Sequence, residues 1–143
     1  MLEKFKENIQ LNMLSICISL FAMLTGFYFI VFDIYYQAIF AIRIFILHSF
    51  GLIAANVILQ LIFKTPKSII TRTMGSVLLY FIVYYALNLL ITYQQNGNFH
   101  YRGRTVIAEF ATFSLTLFFS LFFSIAVYCF QYFRKKRIER SIE

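Results

Sequence analysis

The 143-residue chain is 61% hydrophobic and 20% aromatic, only 13% charged, and has a mean hydropathy of +0.76. A soluble domain of this length cannot hide that much apolar surface, so lipid must solvate part of it, and one domain is the natural count. The formal net charge of +7 does not point to nucleic acid, because the basic residues sit between apolar runs and at the C-terminus rather than along one soluble face.

Hydrocarbon about 30 Å thick needs roughly 20 helical residues. Four segments meet that length and predict an all-α integral membrane protein with helices over 11–32, 39–63, 69–93 and 106–133. The opening "MLEKFKENIQ" is basic enough for a secretion signal, but the apolar run after it is too long and lacks a cleavage site. It is therefore read as a first membrane helix that stays. Cys17 and Cys129 fall inside apolar runs with no second ligand at a metal spacing, so both read as small apolar fillers. The connections "DIYYQA", "KTPKS" and "QQNGNFHYRGRT" are too short for a further domain, and Pro66 sits in the second, where a missing N–H costs least.

Sorting the cations by side fixes an expected orientation. Lys4 and Lys6, then Lys64, Lys67 and Arg72, then Arg134, Lys135, Lys136, Arg137 and Arg140 fall on one side; only Arg43, Arg102 and Arg104 fall on the other. The excess of basic residues places both termini in the cytoplasm, with 134–143 as a basic tail and two hairpins that start and finish inside. Tyr35, Tyr36, Tyr93 and Tyr101 then stand near the outer interface, where aromatic residues anchor.

Polar residues inside the predicted spans are the candidate site. Arg43 and Glu109 lie at similar depth near the outer edge, on helices 2 and 4. Unpaired, each charge costs roughly 2.5–3.5 kcal/mol at a helix centre and less near the edge, so an ion pair or a wet outer vestibule is expected, the alternative being that Arg43 snorkels to the headgroups while Glu109 reaches water or is protonated. Ser49, Asn56 and Gln60 share one face of helix 2; His48, Gly51 and Ala55 share the next. Tyr80, Tyr84 and Asn88 follow one another at every fourth position of helix 3. Asn56, Gln60 and Asn88 all favour protein partners over lipid. Helix 4 carries Thr112, Thr116, Ser120, Ser124 and Tyr128 at the same spacing, and helix 1 carries Ser15, Ser19, Ala22 and Gly26. Small residues so placed predict a close packing seam between helices 1 and 4, or else a hydrophilic track.

No two carboxylates fall within one helical turn, and no Ser-His-Asp candidate with a local signature or glycine-rich phosphate loop is present, so neither catalysis nor a cofactor or metal is expected. Each hairpin ends through Gln and Phe into a basic cluster, "NVILQLIFKTPK" and "VYCFQYFRKKR". With Asn56, Gln60, Phe63 and Lys64 closing helix 2 and "YFIVYYALNLLITY" as helix 3, the chain resembles the GtrA-like family of small four-helix membrane proteins. It departs from that pattern at Leu61, where a basic residue is usual, and at Tyr128, where an amide is common.

The resemblance implies a part in polysaccharide or teichoic acid glycosylation at the bacterial surface. Such proteins help a polyprenyl-phosphate-linked sugar across the cytoplasmic membrane, or assist the glycosyltransferase that makes it. On that reading Arg43, His48, Asn56, Gln60, Asn88 and Glu109 meet the substrate, while Lys64, Lys67, Arg72, Arg102 and Arg104 form phosphate-attracting rims. Membrane lipids and a membrane glycosyltransferase are the partners implied. Two other classes fit the composition: a regulator or accessory subunit working through the basic tail, and an immunity protein against a membrane-active toxin.

Overall fold

The computed structural model describes the backbone of residues 2–34, 38–62, 68–96 and 103–142, and the side chains of 2–29, 42, 45–62, 68–95 and 110–140. Four helices account for almost all of it: α1 (Leu2–Ile34), α2 (Ala38–Ile62), α3 (Ile69–Asn96) and α4 (Gly103–Ile142). All four contain stretches long and apolar enough to cross a membrane, namely Leu2–Phe29, Phe45–Ile62, Ile69–Gln95 and Phe110–Arg140. The expected all-helical architecture is therefore present, with longer outer helices than predicted. α1 begins nine residues before the expected start, because "EKFKEN" holds good helix formers and Glu3 in the first turn complements the helix dipole. At the other end, "FRKKRIERSI" contains no helix breaker and places Arg140 in the last turn, so α4 runs on for 40 residues. That is about 60 Å, twice the hydrocarbon thickness.

At the start of α3, Ser68 caps the helix: its Oγ accepts from the Thr71 N–H at 3.3 Å, and its carbonyl accepts from the Arg72 N–H at 3.1 Å. Pro66, expected just before, lies outside the described residues, as does Phe63, the expected end of helix 2.

Successive helices run antiparallel. Asn12 and Ser15 of α1 meet Gln60 and Asn56 of α2, whereas Phe27 meets Phe45. Phe21 and Phe29 of α1 meet Phe123 and Phe119 of α4, and Tyr80 of α3 meets Gly51 of α2. α1 packs against all three other helices, most extensively against α4, and α2 and α4 do not meet among the described residues. The two hairpins are thus interlocked across the α1–α3 diagonal.

Polarity is distributed opposite to that of a soluble bundle. Among the described residues, ten polar side chains are buried against nine apolar ones, and large apolar residues such as Phe21, Leu47, Phe50, Leu61, Ile82, Phe118 and Phe122 point outward. Lipid is the solvent that makes this arrangement favourable. Apolar side chains gain nothing by leaving it, whereas amides and hydroxyls must find partners inside.

Candidate functional site: two polar clusters in the bundle core

Near the end where α1 begins, three helices contribute a connected polar cluster. Asn12 Nδ2 donates to Gln60 Oε1 at 2.8 Å, and Ser15 Oγ donates to Asn56 Oδ1 at 3.0 Å. Thr73 Oγ1 lies 3.2 Å from Ser15 Oγ and donates to the Ile69 carbonyl at 2.8 Å. Asn56, only 1% exposed, donates in turn to the Leu52 carbonyl at 3.3 Å. At the edge of this cluster Arg72 is 3% exposed, and its Nη2 donates to Asn8 Oδ1. Ser76 closes the α3 side by donating to the Arg72 carbonyl at 2.8 Å.

A second cluster lies about two turns further along the bundle, between α2 and α3. His48 Nδ1 is hydrogen-bonded to the Tyr80 hydroxyl, and the His48 ring also stands edge-on to Tyr84 at 4.9 Å and against Phe27 at 6.0 Å. Gly51 makes this possible. A Cβ there would overlap the Tyr80 ring, so only glycine lets the ring lie across α2. One turn beyond Tyr84, Asn88 is half-buried, and its Nδ2 is shielded from solvent with no acceptor among the described residues.

These positions decide several expectations. Asn56 and Gln60 do share a face, and that face is turned to α1. Ser49, expected beside them, bonds instead to its own Phe45 carbonyl at 2.8 Å. Arg72, expected on an open headgroup rim, is inside the bundle because α1 continues far enough to bring Asn8 over it. The backbones of Arg43, Arg104 and Glu109 belong to α2 and α4, but their side chains lie outside the described residues, as do Lys64, Lys67 and Arg102 entirely. The expected Arg43–Glu109 pair therefore falls outside the description.

The α4 stripe packs rather than lines a track. Thr116, Ser120 and Ser124 are fully buried, and Thr116 and Ser124 bond to carbonyls of their own helix, Thr112 at 2.7 Å and Leu121 at 3.0 Å. Thr116 lies close enough to Gly26 that a Cβ on that glycine would stand 3.2 Å from its Oγ1. The stripe ends at Ser124, since Tyr128 faces outward. Of the two α1 serines grouped with this seam in the sequence, Ser15 turns instead to α2 and α3, while Ser19 is fully buried and bonds to the Ser15 carbonyl of its own helix.

Asn8, Asn12, Thr73 and Ser76 were missed. The available signal was the run Asn8, Asn12, Ser15, Ser19, a three-to-four-residue spacing that continues one helical face back into the charged prefix. No protein-family model matches the chain, nor does any curated protein or solved structure.

Proposed function

We propose that this is a non-enzymatic protein of the bacterial cytoplasmic membrane, with both termini in the cytoplasm, that helps a polyprenyl-phosphate-linked sugar cross the membrane alongside a glycosyltransferase. The observation that carries this reading is Arg72, a residue 3% exposed at the edge of an amide- and hydroxyl-rich cluster at one end of the bundle, where its guanidinium reaches Asn8. Cations inside membrane helices are costly and by default mark function. A guanidinium fork suits a phosphate better than any other side chain, and amides such as Gln60 and Asn12 suit sugar hydroxyls. Orientation is supported by the same end of the bundle, where exposed Lys4 and Lys6 of α1 and exposed Arg134, Lys135, Lys136, Arg137 and Arg140 of α4 emerge together.

The test is deletion of the gene followed by analysis of surface glycans. Loss of one sugar substituent, restored by the wild type but not by Lys64→Ala with Lys67→Ala or by Arg72→Gln, supports the reading. Unchanged glycans in the deletion strain overturn it. A C-terminal reporter that is active only outside the cell would overturn the orientation.

A second reading, an accessory or regulatory subunit, is favoured by a different feature. Residues 131–140 continue α4 as an unbroken helix that is exposed on every side. Such a basic rod is free to hold a cytoplasmic partner or anionic headgroups. Truncation after Phe133 separates the readings: retention of glycan modification with loss of a copurifying cytoplasmic protein favours regulation.

A further inference from the structure

At the end of the bundle where α1 and α3 both begin, Arg72 and Asn8 join the two helices. Arg72 is the fourth residue of α3 and is 3% exposed, and its Nη2 donates to Asn8 Oδ1. The position runs against the helix. Peptide dipoles place a partial positive charge at the start of α3, where an anion is favoured and a cation is not. The first turn of α3 holds no acidic residue to offset the guanidinium. Helix start and guanidinium are of like sign, so they reinforce one another at Arg72.

What α1 presents to this cation is an amide. Glu3 and Glu7 lie in the same two turns of α1, and both are exposed; the neutral Asn8 is the residue turned to Arg72. A carboxylate in that place would orient the guanidinium and neutralise it together. A carboxamide oxygen orients it and carries no charge of its own. Asn8 is only half-buried and residues 2–7 before it are exposed, so the pair stands at the open end of the polar cluster. One turn along α1, Asn12 donates to Gln60 at 2.8 Å, which keeps the face that carries Asn8 directed inward.

We propose that Asn8 is the positioning residue of an anion site at Arg72: its side-chain oxygen aims the guanidinium while preserving the positive charge that draws a phosphate group. The proposal rests on the reading of Arg72 as a phosphate contact, and adds to it the part played by α1. The first turns of α1, which the sequence offers as a charged prefix, thereby belong to the site. Phosphate binding depends on a neutral acceptor at Asn8 as well as on the cation at Arg72.

Direct titration of the full chain in nonionic detergent tests this, with farnesyl phosphate as the probe and farnesol as its uncharged counterpart. The wild type binds the phosphate in preference to the alcohol. Asn8→Asp keeps an acceptor for Arg72 but cancels its charge, so the melting temperature holds or rises while affinity for farnesyl phosphate falls about tenfold or more. Asn8→Ala, which removes the acceptor without adding charge, weakens binding as well, and Arg72→Gln abolishes it. Gln10→Glu adds the same single charge at an exposed position of α1 and binds like the wild type. Inorganic phosphate and phosphatidylglycerol are titrated alongside, which separates a free anion or a bulk headgroup from an isoprenoid phosphate. Asn8-dependent binding of any of the three supports the site. Wild-type affinity in Asn8→Asp overturns the proposal, as does an equal loss in Gln10→Glu, which reports overall charge alone. So does a lower melting temperature in Asn8→Asp, since a carboxylate within reach of Arg72 must hold it at least as firmly. Loss of binding in Arg72→Gln with Asn8→Asp unaffected strikes the role of Asn8 and spares that of Arg72; a wild type that binds no probe strikes both. Unchanged glycans in the deletion strain strike the sugar reading and leave a measured phosphate site standing.

Discussion

Deleting the Asn56 side chain tests whether the polar cluster holds α1 against α2 and α3. Asn56→Ala removes two hydrogen bonds of a 1%-exposed side chain, one across to Ser15 and one to the Leu52 carbonyl, and leaves a cavity. Interhelical hydrogen bonds in membrane proteins contribute about 0.6 kcal/mol on average and up to about 1.7 kcal/mol. With the cavity included, the single substitution should cost about 1–3 kcal/mol. The pairwise part is isolated by a cycle of Ser15→Ala, Asn56→Ala and the double variant, followed by reversible unfolding in mixed micelles. A coupling of about 0.6–1.7 kcal/mol, or roughly a 3- to 17-fold change in the unfolding equilibrium, is expected. The Ser15 hydroxyl keeps Thr73 nearby at 3.2 Å, which places the value toward the lower end. Ser49→Ala is the control: its hydroxyl bonds only within α2, so it should change stability by less than about 0.5 kcal/mol. Additivity within about 0.3 kcal/mol between positions 15 and 56 would refute the cluster as a clamp.

Gly51→Ala forces a Cβ into the Tyr80 ring and should destabilise the bundle by about 1–3 kcal/mol, read as a lower melting temperature in detergent; an unchanged melting temperature would show that the ring has other room. Gly26→Ala meets Thr116 at an uncomfortable but not prohibitive 3.2 Å, so its cost in the same assay should be smaller than that of Gly51→Ala. Arg72→Met takes the donor away from Asn8 Oδ1 and should cost about 1–3 kcal/mol without unfolding the bundle, yet it should abolish glycan complementation; intact complementation would remove Arg72 from the site. Cys17→Ser with Cys129→Ser should fold and complement like the wild type, since both thiols are exposed on the outer face of the bundle; lost complementation would give one of them a chemical role.

Composition and the lengths of the apolar runs were enough to settle four membrane-length helices, because a span in lipid must satisfy its backbone within one segment and only a helix of sufficient length does so. Spacing was enough to put Asn56 with Gln60 and Tyr80 with Tyr84 on common faces, since residues three or four apart share a side of any helix. Which partner each face meets is another matter, and no single-helix pattern contains it. Ser15 sits in register with Ser19 and Ala22, yet it bonds to α2 and α3, because α1 lies on the diagonal and touches every other helix. Arg72 reads as a rim cation until α1 is seen to start at Leu2 and carry Asn8 alongside it. The core cluster that holds Met23, Leu52 and Val77 is likewise invisible in the sequence, where each is one apolar residue among many. Only packing gathers those three into one buried group, because the helices that carry them meet across the core of the bundle.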